Sequence, residues 1–164
     1  MKRLYLLRHA KSSWSEPDLA DFDRPLNSRG LDAAPFMGRY IATKDYLPDL
    51  IVSSPARRAL ETAELVRENT GANIEIQLND RVYEASPQTL LQIAAAVDDA
   101  AGSVMLVGHN PGMEAFVRLL TGRSEAMPTA ALAVIDLGID CWSNIKEGCG
   151  TLVEVVRPKE HMPA

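Results

Sequence analysis

Apolar residues in this chain gather in short runs, separated by longer stretches in which they recur every three or four positions. Runs at Leu4–Leu7, Leu50–Val52, Ile74–Ile76, Val104–Val107, Leu132–Leu137 and Leu152–Val156 predict strands. Several are apolar at consecutive positions, the pattern of strands covered on both faces. Between them Pro35–Ala42, Pro55–Glu68, Pro87–Val97 and Pro111–Leu120 carry the helical period. Each opens with proline, whose missing N–H has no partner in a first turn anyway. The alternation predicts an α/β fold: a three-layer sandwich with a mostly parallel central sheet of about six strands and helices on both faces. The last two runs, with Gly148 and Gly150 between them, predict an antiparallel edge pair. The longest irregular stretch, Lys11–Gly30, is rich in Ser, Asp and Pro, and a loop that long inside a compact domain predicts function.

In such sheets ligands sit beyond the carboxyl ends of the strands. The first predicted strand ends in Arg8 and His9, the second runs through Ser53 and Ser54 toward Arg57 and Arg58, and the fourth ends in Gly108, His109 and Asn110. The chain has only three histidines. Two lie at strand ends, and the third, His161, falls in a polar tail expected to fray. Helical geometry separates the adjacent arginines. With Ser54 as N-cap, Arg57, Glu61, Glu64 and Glu68 form one solvated stripe in which Arg57 can pair with Glu61. Arg58 falls beside the Ala59, Ala63 and Val66 face that packs on the sheet, so its guanidinium can reach the rim.

Arginine offers a planar fork of donors that matches phosphate oxygens and keeps its charge. A neutral imidazole is a competent nucleophile toward phosphorus, and a second can donate to developing charge. Asn110 as N-cap before Pro111 would add a helix N-terminus to the anion pocket. The set predicts phosphoryl transfer with no metal and no cofactor, since no Walker lysine sits in a Gly-rich loop and no His/Asp cluster has metal-ligand spacing.

Composition narrows the class without naming it. The 164 residues, 46% hydrophobic and 24% charged, make one globular domain, 1–158, followed by the tail 159–164. Net charge is −5, which argues against nucleic acid as a partner. Residues 1–82 balance at zero while 83–164 carry −5, so an anion site is to be sought in the first half. Two cysteines, Cys141 and Cys149, are too few for a disulfide framework and fit no zinc spacing. The apolar stretch before Arg8 is too short for a signal peptide or membrane span, so the expectation is a cytoplasmic protein with no membrane partner. The oligomeric state is left open, and a monomer is compatible.

Four ordered blocks resemble the histidine phosphatase superfamily with its phosphoglycerate mutase-like fold, and more closely its small SixA-type phosphohistidine phosphatases. They are Leu6–Ala10, with Ala10 where the usual signature has Gly; Asp23–Gly30; Ser53–Ala63; and Val107–Gly112. The resemblance implies that His9 attacks phosphorus and is transiently phosphorylated, while Arg8, Arg58 and His109 hold the oxygens and water then frees phosphate. Ser12, where relatives carry a small hydroxyl residue, is a candidate phosphate contact or, equally, a loop cap. For the proton donor the resemblance points to Asp80, with Glu84 as the alternative. A phosphohistidine leaving group needs little acid help, because its imidazole protonates near neutral pH.

Between Glu84 and His109 there is room for one helix and one strand only, so the site is expected to be open. That suits a phosphorylated side chain on another protein, such as a phosphorelay domain. The alternatives are a phosphatase for small phosphate esters or anhydrides, and a phosphate-binding module without turnover. Trp14, an aromatic in the loop after the first strand, is a candidate substrate contact, with pinning of that loop to the core the slightly favoured reading.

Overall fold

The structure, a computed structural model, describes residues 1–163. Six strands form one sheet: β1 (Lys2–Arg8), β2 (Leu50–Ser53), β3 (Glu75–Leu78), β4 (Ser103–Gly108), β5 (Leu132–Leu137) and β6 (Gly150–Val156), in the order β3-β2-β4-β1-β5-β6. The pairings among β1 to β4 are parallel; β5 runs antiparallel to β1, and β6 antiparallel to β5. The expected α/β sandwich and its antiparallel edge are therefore present.

Consecutive apolar residues divide between two cores. Leu4 and Leu6 of β1, Val104 and Leu106 of β4, and Ala133, Ile135 and Leu137 of β5 face one core. Tyr5, Leu7, Met105, Val107, Leu132 and Val134 face the other. Side chains alternate along a strand, so a strand buried on both faces must be apolar at every position. Helices α3 (Pro87–Ala95) and α4 (Gly112–Thr121) cover the first face, and α1 (Ser28–Thr43) and α2 (Arg57–Thr70) the second.

Two helix starts differ from expectation by two residues or more. Helix α1 begins seven residues before Pro35, where the Asn27 side chain accepts the N–H of Gly30, and Pro35 is accommodated inside it. Sparse apolar spacing hides this turn, and the Asn27 cap defines it. Gly30 allows a close approach, because a Cβ there would stand 2.2 Å from the Lys11 carbonyl oxygen. Helix α2 begins at Arg57 with Ala56 as N-cap, so Ser54 is not its cap. The tail does not fray up to its last described residue. Pro158–His161 form a short helix, α5, with Pro158 buried and the His161 ring 5.0 Å from that of Tyr40; Ala164 lies outside the described residues. Among the described residues no helix is long and apolar enough to cross a membrane.

Candidate active site

The carboxyl ends of β1, β2 and β4 meet on one rim, and the backbone ladder continues past β1 to fix what stands there. The His9 N–H donates to the Gly108 carbonyl at 3.0 Å, and the Ala130 N–H donates to the His9 carbonyl at 3.0 Å. Ala130 sits at φ 63, a left-handed conformation that costs a non-glycine residue roughly 1–3 kcal/mol and persists only where surroundings over-determine it. One residue on, the Ala10 N–H donates to Thr62 Oγ1, which donates to the Arg58 carbonyl. The end of β1 is thereby tied to the first turn of α2. Ala10 itself is fully buried and is not among the residues at positive φ, so its backbone does not require glycine.

His9 is 7% exposed, and its Nδ1 lies 2.7 Å from the Ala10 carbonyl oxygen. A carbonyl only accepts, so Nδ1 carries the proton and Nε2 keeps its lone pair. Burial pushes the imidazole pKa down to about 3, with His109, Arg58 and Arg8 adding to the effect and the Ala10 bond opposing it. His9 is therefore neutral at pH 7, with its free lone pair on Nε2.

His109 follows β4, with its ring centroid 5.2 Å from that of His9. Its Nε2 lies 2.8 Å from Ser54 Oγ, which also accepts the Ala56 N–H at 3.2 Å. Burial lowers the His109 pKa to about 4, Arg58 reinforces this and Asp21 opposes it. Tyr83 meets the ring edge-on at 5.4 Å. Asn110 does not cap α4 as expected. Pro111 is the N-cap, and Asn110 acts from one residue farther out, Oδ1 accepting the Glu114 N–H and Nδ2 donating to Glu114 and to the Met127 carbonyl. The Met113 N–H is spent on the His109 carbonyl. The start of α4 thus braces His109 from behind.

Arg58 is buried, while Arg57 is exposed with its Nε 3.6 Å from Glu61, as the helical stripe predicts. Arg58 donates from Nη1 to the Asp21 carbonyl at 2.7 Å and from Nη2 to Asp21 Oδ2 at 3.0 Å. Arg8 donates from Nη1 to the Met127 carbonyl, and burial lowers its pKa. Among the described residues, the buried side-chain nitrogens without a partner are Arg8 Nε, Arg58 Nε and His109 Nδ1. A buried polar group left unpaired costs roughly 1–3 kcal/mol. All three side chains line one pocket of about 260 Å³ together with His9, so two guanidiniums and two imidazoles gather where an anion could sit.

Sequence reading missed a second layer. Arg24 is buried, donates to Ser12 Oγ at 2.7 Å and to Asp21 Oδ1, and lines the same pocket. It lies within the Asp23–Gly30 block, but only the fold brings it to the rim. Asp21 receives Arg58, Arg24 and the Tyr83 hydroxyl, and these hold its pKa down to about 2, the Tyr83 bond contributing most. Ser12 is buried, with its oxygen engaged by Arg24. Trp14 does not pin its loop to the core: it is 74% exposed, with the Arg24 guanidinium 3.5 Å from its ring centroid.

The two candidate acids part company. Glu84, at φ 54, lines a cavity of about 600 Å³ together with Arg58, His109 and Asp21. Asp80 opens the short turn Asp80–Val82 and does not line that cavity. Among the described residues no three His, Cys, Asp or Glu side chains group as a metal site.

Known proteins share this fold. The profile of the histidine phosphatase superfamily (branch 1) matches residues 4–90. A crystal structure from Agrobacterium tumefaciens, assigned as the phosphohistidine phosphatase SixA, superposes with TM-score 0.83 at 36% identity, covering 96% of this chain and 98% of that one. The protein histidine phosphatase SixA solved with tungstate superposes equally well, at 0.83 over 96% of this chain and 98% of that one, but at 20% identity it speaks to the fold alone. An uncharacterized protein of Mycobacterium tuberculosis is 31% identical over 90% of this chain and 96% of its own length. With its rim of Arg8, His9, Arg58 and His109 on a SixA-like sheet, the chain belongs to branch 1 of the histidine phosphatase superfamily.

Proposed function

We propose that this protein is a cofactor-independent phosphatase that acts through a phosphohistidine formed on His9, and that its substrate is phosphohistidine on another protein. The observation that carries the reading is the His9 Nε2 lone pair in a pocket that Arg8, Arg58 and His109 also line. In the proposed reaction Nε2 attacks phosphorus while the bond from phosphorus to the substrate imidazole breaks. Arg8, Arg58 and His109 hold the phosphoryl oxygens, and Arg24 and Ser12 support them from the loop. The leaving imidazole takes up a proton from solvent as it departs. Water then attacks phosphorus, releases inorganic phosphate and leaves His9 neutral again. Throughout, Nδ1 keeps its proton and donates it to the Ala10 carbonyl, which steadies the ring whichever state Nε2 is in.

Access supports a protein substrate. Between Glu84 and His109 the chain builds only α3 and β4, with no insertion over the pocket. Cys141 and Cys149 remain unpaired, in keeping with a reducing, cytoplasmic setting. A second reading, a small-molecule phosphate ester as substrate, is favoured by Glu84, whose carboxyl lines the cavity beside His109 and would protonate an alkoxide leaving group.

The test follows phosphate release from a phosphohistidine-bearing domain by wild type and His9→Ala, with intact-mass trapping of the phosphoenzyme. Wild type should release phosphate and carry the added mass, and His9→Ala should do neither. Equal release by both would remove the mechanism. Much higher turnover of metabolite esters than of phosphoprotein would select the second reading. Tight phosphate binding with no covalent intermediate would mark a binding module.

A further inference from the structure

A groove that shares a wall with the phosphate pocket carries three cations that the proposed reaction does not use. Lys11 follows β1, Arg29 stands in the first turn of α1 and Lys159 belongs to α5; together with Arg8 they line one groove of about 430 Å³. Arg8, Lys11 and Thr129 are shared between this groove and the pocket around His9 and His109, so the two spaces have a common wall. Lys11, Arg29 and Lys159 are exposed and form no salt bridge among the described residues, whereas nearby Arg24 and Arg157 are paired with Asp21 and with Glu125 and Glu160. One carboxylate, Asp32, also faces the groove.

Four cations against one carboxylate stand out on a chain whose net charge is −5. Like charges gathered without counter-charges repel one another, and an anionic ligand relieves that repulsion. The cations come from three separate segments, and Pro128, Pro158 and Met162 add apolar surface to the same wall. That mixture suits an extended chain with spaced carboxylates better than one compact phosphate. We propose that this groove binds an acidic polypeptide segment flanking the phosphorylated residue, so that a non-reacting stretch of the substrate is read together with its phosphoryl group. The proposal rests on the reading of the substrate as a phosphoprotein. Contacts remote from phosphorus bind ground state and transition state alike, so they lower KM and leave kcat unchanged.

Two peptides carrying one phosphohistidine test this, one flanked by Asp and Glu and the other by Asn and Gln, each with an unphosphorylated twin. Wild type and the double variant Arg29→Glu/Lys159→Glu are compared. Both positions are exposed, and an acidic side chain suits the first turn of α1. Wild type should prefer the acidic phosphopeptide about five- to tenfold in kcat/KM, all of it in KM and weakened by salt. The double variant should lose that preference while processing the neutral peptide as wild type does. Titration with the unphosphorylated acidic twin should show binding to wild type and none to the variant.

Equal kcat/KM on the two peptides in wild type, or a preference that survives the double reversal, overturns the groove. The titration keeps the two proposals apart. Loss of acidic-peptide binding in the variant supports the groove even where neither phosphopeptide is hydrolysed, a result that sinks only the phosphohistidine reading. Efficient hydrolysis without preference and without binding of the twin sinks only the groove.

Discussion

The ends of β1 and β4 lie side by side and present the same residue, yet they use it in opposite ways. His9 and His109 both follow a buried parallel strand, both are desolvated, and both are driven to the neutral form. At the end of β1 the ring is held through Nδ1 by a carbonyl, which leaves Nε2 as a bare lone pair. At the end of β4 it is held through Nε2 by a hydroxyl, which leaves Nδ1 without a partner. Ser54 is fully buried and accepts the Ala56 N–H, so the acceptor for its own proton is His109 Nε2, and Nδ1 then carries hydrogen. In the proposed reaction one histidine offers electrons to phosphorus and the other offers a proton to an oxygen. The division follows from which backbone or side-chain atom each strand end places beside the ring.

The largest effects separate the two rings. His9→Ala removes the nucleophile, and phosphate release should fall by about 10⁴-fold or more with no phosphoenzyme detected by intact mass. His109→Ala removes one donor to the phosphoryl oxygens. It should cost about 10²- to 10³-fold in kcat while the phosphoenzyme still accumulates slowly. A phosphoenzyme seen in His9→Ala and abolished in His109→Ala would reverse the assignment.

The two ends also differ in how they could be read before the fold was known. Arg8, His9 and His109 were legible because each lies within two residues of the end of an apolar run, where the chain leaves the sheet at its carboxyl edge. Arg58 was legible because helix periodicity alone turns it inward and Arg57 outward. Asp21 and Arg24 were not, since they reach the rim from an irregular loop with no period to project, and apart from each other their side-chain hydrogen-bond partners are 12 to 62 residues away. Ser54 was noticed for a different role. A serine before proline and a helical run signals an N-cap, and nothing local reveals a histidine 55 positions later as its partner. The start of α1 was missed because a side-chain cap at Asn27 outweighs a sparse apolar pattern.

Acid should act on both rings, through stability as well as rate. Each folded pKa, about 3 for His9 and about 4 for His109, lies below the ordinary 6.5, so the unfolded chain binds protons first as pH falls. Stability contributed by the neutral rings is therefore complete above pH 6.5 and is lost between there and about pH 4 for His109 and about pH 3 for His9. Between pH 7 and 5 the loss amounts to on the order of 2 kcal/mol per histidine, measurable by urea unfolding at the two pH values and reduced in His109→Asn. Activity should be less sensitive. Because His9 stays neutral, kcat/KM corrected for ionisation of the substrate should remain flat from pH 7 to about 5. A midpoint near 6.5 would show that His9 titrates as an exposed imidazole and that burial does not govern it.

The smallest and most specific change is Ser54→Ala. It leaves both histidines in place and removes only the atom that holds Nε2 of His109, along with the acceptor of the Ala56 N–H. With the hydroxyl gone, nothing fixes the tautomer, and part of the population turns a lone pair toward the phosphoryl oxygens. The expected cost is about tenfold in kcat with little change in KM, since the arginines that bind the ground state are untouched. Nitrogen-15 NMR of the His109 ring decides the cause: hydrogen on Nδ1 in wild type, and a mixture of tautomers in Ser54→Ala, with His9 unchanged in both. Hydrogen on Nε2 in wild type would mean that Ser54 accepts from the ring. His109 would then face phosphate with a lone pair, and the contrast between the two strand ends would fail.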